Sequence, residues 1–201
     1  PTIRNQKVNF VKYLAADVGG TTIKLGVFIE GALAANQSIP ARSDLPMLDR
    51  LEAVSQQWCE LLETCGSHIS DFDGVGLSLP FLIDRQGDRV HGDFGKFPGA
   101  AEVNFAEWSS QTLGLPIVIE NDVRMALVGE WKHGIGQDLD DLAMITLGTG
   151  IGCAAICDGK MLKGAQNRAA SAFGHMTIDW DSVDGRCGNV GCAEDLASTA
   201  T

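Results

Sequence analysis

The chain has no block of lysine and arginine, no run of 18 apolar residues, and no low-complexity stretch or flexible linker. The first absence, together with a net charge of −11, argues against a nucleic-acid surface. The second excludes a membrane-spanning helix. The leading stretch Pro1 to Lys7 lacks an apolar core of signal-peptide length, so the expectation is a cytoplasmic protein with no membrane partner. Cysteines are few and paired: Cys59/Cys65, Cys153/Cys157 and Cys187/Cys192. Without a secretory signal, thiols or metal ligands are expected in place of disulfides. What is present is ordinary globular material. At 201 residues and 45% hydrophobic, the chain can bury a real core as one large or two small domains.

Two glycine turns carry most of the information. In the first, an apolar run from Tyr13 to Ala16 delivers Asp17-Val18-Gly19-Gly20-Thr21-Thr22, and a second apolar strand from Ile23 to Ile29 leaves it. Such a turn exposes backbone N–H groups in a concave set suited to phosphate. The acidic net charge does not forbid this, because turn N–H groups supply their own local positive field. Asp17 stands where a carboxylate can hold hydrated Mg²⁺, an ion that takes one or two carboxylates plus waters. The motif is no Walker loop, since a strand follows and the Gly-Lys-Ser/Thr ending is missing. In the second turn, Leu142 to Leu147 reads as a buried strand. Gly148-Thr149-Gly150-Ile151-Gly152 is the turn, and Cys153 to Cys157 is the returning strand. Asp158-Gly159 is then a hairpin signal. Two such hairpins suggest duplicated halves that approach a phosphate chain from opposite sides.

The remaining pattern supports a half-domain repeat. Strands are expected near 12–17, 23–30 and 32–39, with Glu30-Gly31 at the second turn. Pro46 to Cys65 reads as a helix, its Leu48, Leu51, Val54, Trp58, Leu61, Leu62 and Cys65 keeping one face, with Gly66 as its stop. Asp73 to Leu79 reads as a buried strand, Asp84 to Gly87 as a turn, and Asn104 to Leu113 as a helix closed by Gly114. A buried strand over 115–120 follows, ending in Glu120, Asn121 and Asp122, and then a helix from about 122 to 132. Asn121 or Asp122 makes a good N-cap for that helix, while a carboxylate at a strand end equally suits a general base. Lys24 is either solvated or near the phosphates. Glu120 is ambiguous, and Glu194 suits the first turn of a C-terminal helix.

In order and spacing, these motifs resemble the ROK family (repressors, open reading frames and sugar kinases) of the actin-like ATPase superfold. The motifs are the Asp17 hairpin, Glu120-Asn121-Asp122, Gly148-Thr149-Gly150-Ile151-Gly152, Gly174-His175-Met176 and the run from Cys187 through Gly188, Gly191 and Cys192 to Glu194. The resemblance runs from Asp17 to Ser198. It implies an α/β, ribonuclease-H-like fold of two similar domains around a cleft, residues 1–122 and 123–201, the second incomplete here. The family continues past the cysteine stretch into a glycine-rich adenosine wall, so this chain is expected to be part of a longer polypeptide. The implied activity is ATP-dependent phosphorylation of a hexose or N-acylhexosamine hydroxyl, with polyphosphate as the other possible donor. A non-catalytic sugar-sensing or regulatory protein is the alternative. Asp122 is the implied base, and Asn121, His175 and Glu194 are implied at the sugar. Asp17, Gly19, Gly20, Thr21, Lys24, Gly148, Thr149 and Gly150 are expected around nucleotide and Mg²⁺. The implied partners are a sugar, a nucleotide and further copies of the chain in a homo-oligomer.

The resemblance also implies zinc at His175, Cys187 and Cys192, but the family's first cysteine position is Gly185 here. A structural zinc needs four ligands, so the site is weak, completed by Asp184 or water, or empty. Three further departures surround the implied sugar pocket. A glutamate position is Ala172, a glycine after the strand proline is Phe81, and an asparagine before Pro98-Gly99 is Lys96, which is either a pocket cation or a solvated loop lysine. They suggest an altered sugar preference or an impaired sugar site.

Overall fold

The computed structural model describes residues 11–92, 95–182, 185 and 187–199, so the readings of the leading stretch and of Asp184 fall outside it. The chain divides into two compact units, residues 1–80 with 88–119, and residues 81–87 with 120–201.

The first unit is built on a meander. Strand β1 (Lys12–Val18) buries Leu14, Ala16 and Val18 and turns Tyr13 and Asp17 to the other side, as period-two alternation demands. β2 (Thr22–Ile29) and β3 (Ala32–Pro40) follow antiparallel. Their connection is Glu30-Gly31, with φ of 54° and 78°, the double positive φ that a two-residue hairpin turn requires. Helix α1 (Met47–Thr64) packs on β2 and β3 and buries Leu51, Val54, Trp58, Leu61 and Leu62. Leu48 corrects the expected stripe: it is 57% exposed, and Met47, at 1%, takes the inward place. A step of about 100° per residue turns Leu48 off the buried face. β4 (Gly74–Leu79) runs parallel to β1, with Val75, Leu77 and Leu79 buried.

Two short strands, β5 (Leu82–Ile83) and β6 (Val90–His91), precede α2 (Phe105–Thr112). Asn104 caps α2 by accepting from the Glu107 N–H at 3.0 Å. β7 (Ile117–Asn121) completes the sheet order β3-β2-β1-β4-β7 and carries the chain out of the first unit after Ile119.

The second unit takes residues 81–87 and the chain from Glu120 onward. Helix α3 (Asp122–His133) lies on an antiparallel ribbon of β8 (Leu142–Leu147), β9 (Ile151–Cys157) and β10 (Lys160–Met161). Its core is Leu127, Ala154 and Ile156, flanked by Val123, Trp131, Leu142, Met144 and Met161. Asp158-Gly159, with φ of 50° and 66°, forms the turn into β10. A short 3-10 turn (Phe173–His175) and α4 (Ala193–Ala197) follow.

The two strands expected to be fully buried are corrected here. β8 packs Leu142 and Met144 on the core of this unit, leaving Ile145 56% and Leu147 71% exposed on its other face, and in β7 Val118 is 71% exposed. A short apolar run does not by itself distinguish a strand covered on one face from one covered on both. No helix among the described residues is long and apolar enough to cross a membrane.

One close approach fixes α3 on its ribbon. A Cβ at Gly152 would stand 2.3 Å from Val123 Cγ2 and 2.7 Å from Thr146 Oγ1. Gly152→Ala is therefore expected to destabilise by about 1–3 kcal/mol, the usual penalty of overpacking. Gly129, in α3 with nothing within 4 Å of its would-be Cβ, should respond oppositely. Gly129→Ala should stabilise by roughly 0.5–1 kcal/mol through helix propensity. Thermal melts of the two variants should move in opposite directions.

Candidate active site

In the first unit the glycine turn is tight and already partly self-satisfied. The Gly19 N–H donates to the Thr22 carbonyl at 3.0 Å, and a Cβ on Gly19 would meet that oxygen at 2.9 Å. Gly19 is thus required by the turn, and its N–H is not among the donors left for a phosphate. Asp17 ends β1, where Ser78 Oγ of β4 donates to its Oδ1 at 2.8 Å. Lys24, its register partner on β2, stands 3.9 Å from Oδ2 in an exposed pair. Lys24 thus faces Asp17 across the hairpin. Lys96 Nζ lies 3.7 Å from where a Cβ on Gly20 would be, which places a second cation beside the turn. Ser78 and the placement of Lys96 are tertiary facts with no local signal.

In the second unit several expected residues converge on Ile151 and Gly152. Val123, next to Asp122, touches Gly152 in the sense described above. Glu194 accepts from the Ile151 N–H at 2.8 Å, and its carboxylate lies 2.6 Å from the would-be Cβ of Gly150. Gly174 lets the segment before His175 press on the Ile151 carbonyl, 2.3 Å from its would-be Cβ. The Gly148 carbonyl accepts from the Thr199 N–H at 2.8 Å, and Thr149 is exposed at the tip. So Val123, the residue after Asp122, together with Gly174 and Glu194, meets the second glycine turn at residues 150–152.

Asn121, not Asp122, is the cap of α3. Its Oδ1 accepts from the N–H groups of Val123 at 3.2 Å and Arg124 at 3.3 Å. Its Nδ2 donates to the Phe81 carbonyl at 3.1 Å and to Asp122 Oδ1 at 3.0 Å. An amide has two donors and two acceptor lone pairs, so Asn121 is filled within the protein. A sugar hydroxyl reaches it only by replacing one of these bonds. Phe81 is 2% exposed, with its ring in the core.

A buried cation ties this neighbourhood together. Arg124, 2% exposed, pairs with Glu120 at 3.3 Å. It also donates to the Asn167 side chain at 2.7 Å and to the carbonyls of Asn167 and Ala169. Asn167, at φ 56°, donates in turn to the carbonyls of Ile83 and Asp84. Glu120 also takes Lys163. Burial raises the Glu120 acid, but the Lys163 hydrogen bond, the Asn121 N–H and the charges of Lys163 and Arg124 outweigh it. The carboxyl is held below its ordinary range. Glu120, ambiguous from sequence, is thus a structural anion. Sequence reading missed Arg124, Lys163 and Asn167, and the only available signal was a charged residue on the inward side of an apolar helix.

His175, Cys187 and Cys192 each place a ligand atom within 4.8 Å of the others. Backbone pairing of residues 176–178 with 191–193 brings them together, and Cys192 Sγ lies 3.6 Å from His175 Nδ1. Tetrahedral zinc, with bonds of about 2.1 and 2.3 Å, needs adjacent ligands roughly 3.6 Å apart, so this donor set fits zinc. Burial pushes the Cys192 thiol up, against the N–H groups of Asp195 and Glu194, which favour the thiolate. All six cysteines are free thiols.

Residues 13–201 match the sequence model of the ROK family. The chain belongs to the ROK family. It is 31% identical over 169 residues to a beta-glucoside kinase of Listeria monocytogenes, covering 83% of this chain and 53% of that protein. It is 29% identical over 197 residues to a glucokinase of Halalkalibacterium halodurans, covering 92% and 56%. Its fold superposes on a ROK family glucokinase from Streptomyces griseus, solved with glucose and AMPPNP. There the TM-score is 0.73 at 29% identity, covering 93% of this chain and 57% of that one. The α/β architecture is therefore that of the ROK, actin-like ATPase fold. The chain spans a little over half the length of these relatives.

Arg124→Met should destabilise this ROK chain by about 3–5 kcal/mol, the cost of removing one member of a buried ion pair. The Glu120 carboxyl, held low in the fold, contributes stability fully present above its ordinary value of about 4.3 and lost as pH falls through the lower folded-state value. Glu120→Gln should therefore flatten the acid limb of a Tm-against-pH profile below about pH 4.3.

Proposed function

We propose that this ROK chain belongs to an ATP-dependent sugar kinase that phosphorylates a hexose or N-acylhexosamine hydroxyl, with Asp122 as general base. The observation that carries the reading is the neighbourhood around Gly152. It places the first turn of α3, which bears Asp122, against the Gly148–Gly152 turn. Kinase relatives and the glucose–AMPPNP complex of a related glucokinase support it.

Phosphoryl transfer asks little of a protein beyond positioning and electrostatics. Asp122 accepts the proton of the attacking sugar hydroxyl as its oxygen bonds to the γ-phosphorus. The bond from that phosphorus to the β,γ-bridging oxygen breaks, and ADP leaves with the electron pair. Asn121 orients the base through its 3.0 Å bond to Asp122 Oδ1 and, being filled, acts as a positioning residue. Glu194 is assigned to the sugar side of the second turn, where it already stiffens Ile151. In the first unit, Asp17, oriented by Ser78, would hold hydrated Mg²⁺, which would supply charge neutralisation at the phosphates. Thr21, Lys24 and Lys96 complete a polar surround for the nucleotide. Zinc, held by His175 and the two cysteines, would fix the His175 segment.

A second reading, sugar binding without turnover, is favoured by the pocket departures. Ala172 supplies no carboxylate, and the Phe81 carbonyl already holds Asn121. Sugar-dependent ADP release by the complete protein separates the two.

Asp122→Asn should keep the fold and lower kcat by on the order of 10²–10⁴, the usual worth of a general base. Near-wild-type turnover in a coupled ADP assay would overturn the assignment. Lys96→Met should raise the nucleotide KM about tenfold, the lower end of a charged hydrogen bond's worth, with the sugar KM unchanged. A change in the sugar KM alone would move Lys96 to the other substrate.

A further inference from the structure

We propose that Phe97 is a positioning residue, whose buried ring and left-handed backbone hold the Lys96 ammonium over the Gly19–Thr22 turn for the nucleotide's phosphates. The inference rests on the nucleotide side of the kinase reading.

Lys96 is half-buried, and its Nζ and Cε lie 3.7 and 3.8 Å from where a Cβ on Gly20 would be. Among the described residues it pairs with no carboxylate. A charge withdrawn from water calls for a partner of opposite sign, and the bare backbone of Gly20 leaves room for an anion to approach. A lysine stem is flexible along its four carbons, so a repeatable position for the ammonium has to come from the backbone that carries it.

That backbone is held hard on its C-terminal side. Phe97 is fully buried and sits at φ 50°, a conformation that strains a bulky residue. Its N–H donates to the Ser43 carbonyl at 2.7 Å, and its carbonyl accepts from the Ala100 N–H at 3.1 Å. Pro98 fixes the next φ, and its carbonyl accepts from the Met47 N–H at 3.0 Å. Glycine would take this conformation without strain but would bring no anchor. The ring supplies the anchor, and the hydrogen bonds supply the constraint that keeps the strained angle.

The same connection carries the glycine turn. Ala41, also fully buried, donates its N–H to the Thr21 carbonyl at 2.9 Å. Residues 41–47 therefore hold the phosphate turn at one end and the Lys96 arm at the other. Within them Arg42 is a second strained residue, at φ 46°, and its guanidinium donates to both carboxylate oxygens of Asp44 at 3.1 and 3.0 Å. Two non-glycine residues in the left-handed region thus flank the Ser43–Phe97 bond. A ring that only filled the core needs no left-handed backbone. Strain kept at one bond, between a phosphate-type turn and an unpaired cation, marks a place where geometry is held at the expense of stability.

A double-mutant cycle in the complete protein tests this, with calorimetric binding of Mg²⁺–AMPPNP as the readout. Phe97→Ala should weaken binding about tenfold, as Lys96→Met does. In the Lys96→Met background Phe97→Ala should weaken it less than about twofold, because residues that act as one unit are not additive. The loss of Tm from Phe97→Ala should be the same in both backgrounds, since the core contact does not involve the ammonium. The sugar KM should stay constant throughout. If Phe97→Ala does not fold by circular dichroism, Phe97→Leu takes its place in the cycle. Its expected loss is roughly threefold, about half the free energy of a tenfold change, and should likewise vanish beside Lys96→Met. Equal losses of nucleotide affinity in the two backgrounds would overturn the proposal. So would unchanged affinity in the Phe97 variants, a shift confined to the sugar KM, or no Mg²⁺–AMPPNP binding by the wild type. Affinity is read here without turnover. Nucleotide binding and a coupled cycle without sugar-dependent ADP release would end the kinase reading alone, and ADP release with equal losses would end this proposal alone.

Discussion

The Arg124 guanidinium is the constraint on which the second unit depends. An always-charged group at 2% exposure tolerates burial only when its donors are met. Here they are met by a carboxylate, an amide oxygen and two carbonyls from separate stretches of chain. Because Asn167 passes the bond on to residues 83 and 84, one side chain fastens the strand end to the 163–170 loop and the 81–87 segment. The Glu120 carboxylate is therefore a structural anchor. Lys163, half-exposed, is the more screened of Glu120's two partners, so the buried arginine matters more to this network.

On that frame the glycines set the distances. Gly152 admits Val123, Gly174 admits the turn before His175, and Gly150 admits the Glu194 carboxylate, all around β9. Each contact brings a chemically capable segment to the same short piece of backbone. The lack of a Cβ is what these positions share, rather than any need for unusual backbone angles, since none of the three has a positive φ. The site is assembled by close approach, and its polar groups are then oriented by caps and short bonds such as that from Asn121 to Asp122.

The cysteine region follows the same logic at a smaller scale. Pairing of residues 176–178 with 191–193 juxtaposes His175 and Cys192, and the 185–189 knuckle presents Cys187. A glycine at 185 looks from the sequence like a lost ligand. In the fold, the space a side chain there would fill is taken by the Asp195 carboxylate, ten positions further along.

Local chemistry determined a good deal. Apolar runs marked β1 and β4, Glu30-Gly31 and Asp158-Gly159 their hairpin turns, and the three-and-four spacing α1, because each is decided by neighbours along the chain. The ordered motifs from Asp17 to Glu194 were enough to place the chain in its family. Tertiary structure decided what depends on residues distant in sequence. It turned Leu48 outward and left one face of β8 open, since an apolar run does not state how many faces are covered. It gave Asn121 the cap and filled its hydrogen bonds, which no spacing rule could choose between two adjacent polar residues. It set Ser78 and Lys96 beside the first turn, and Arg124, Lys163 and Asn167 around Glu120. Apart from the one-turn step from Glu120 to Arg124, those pairings join positions about 40 to 80 residues apart, where only the folded backbone determines which charges meet and which are left to water.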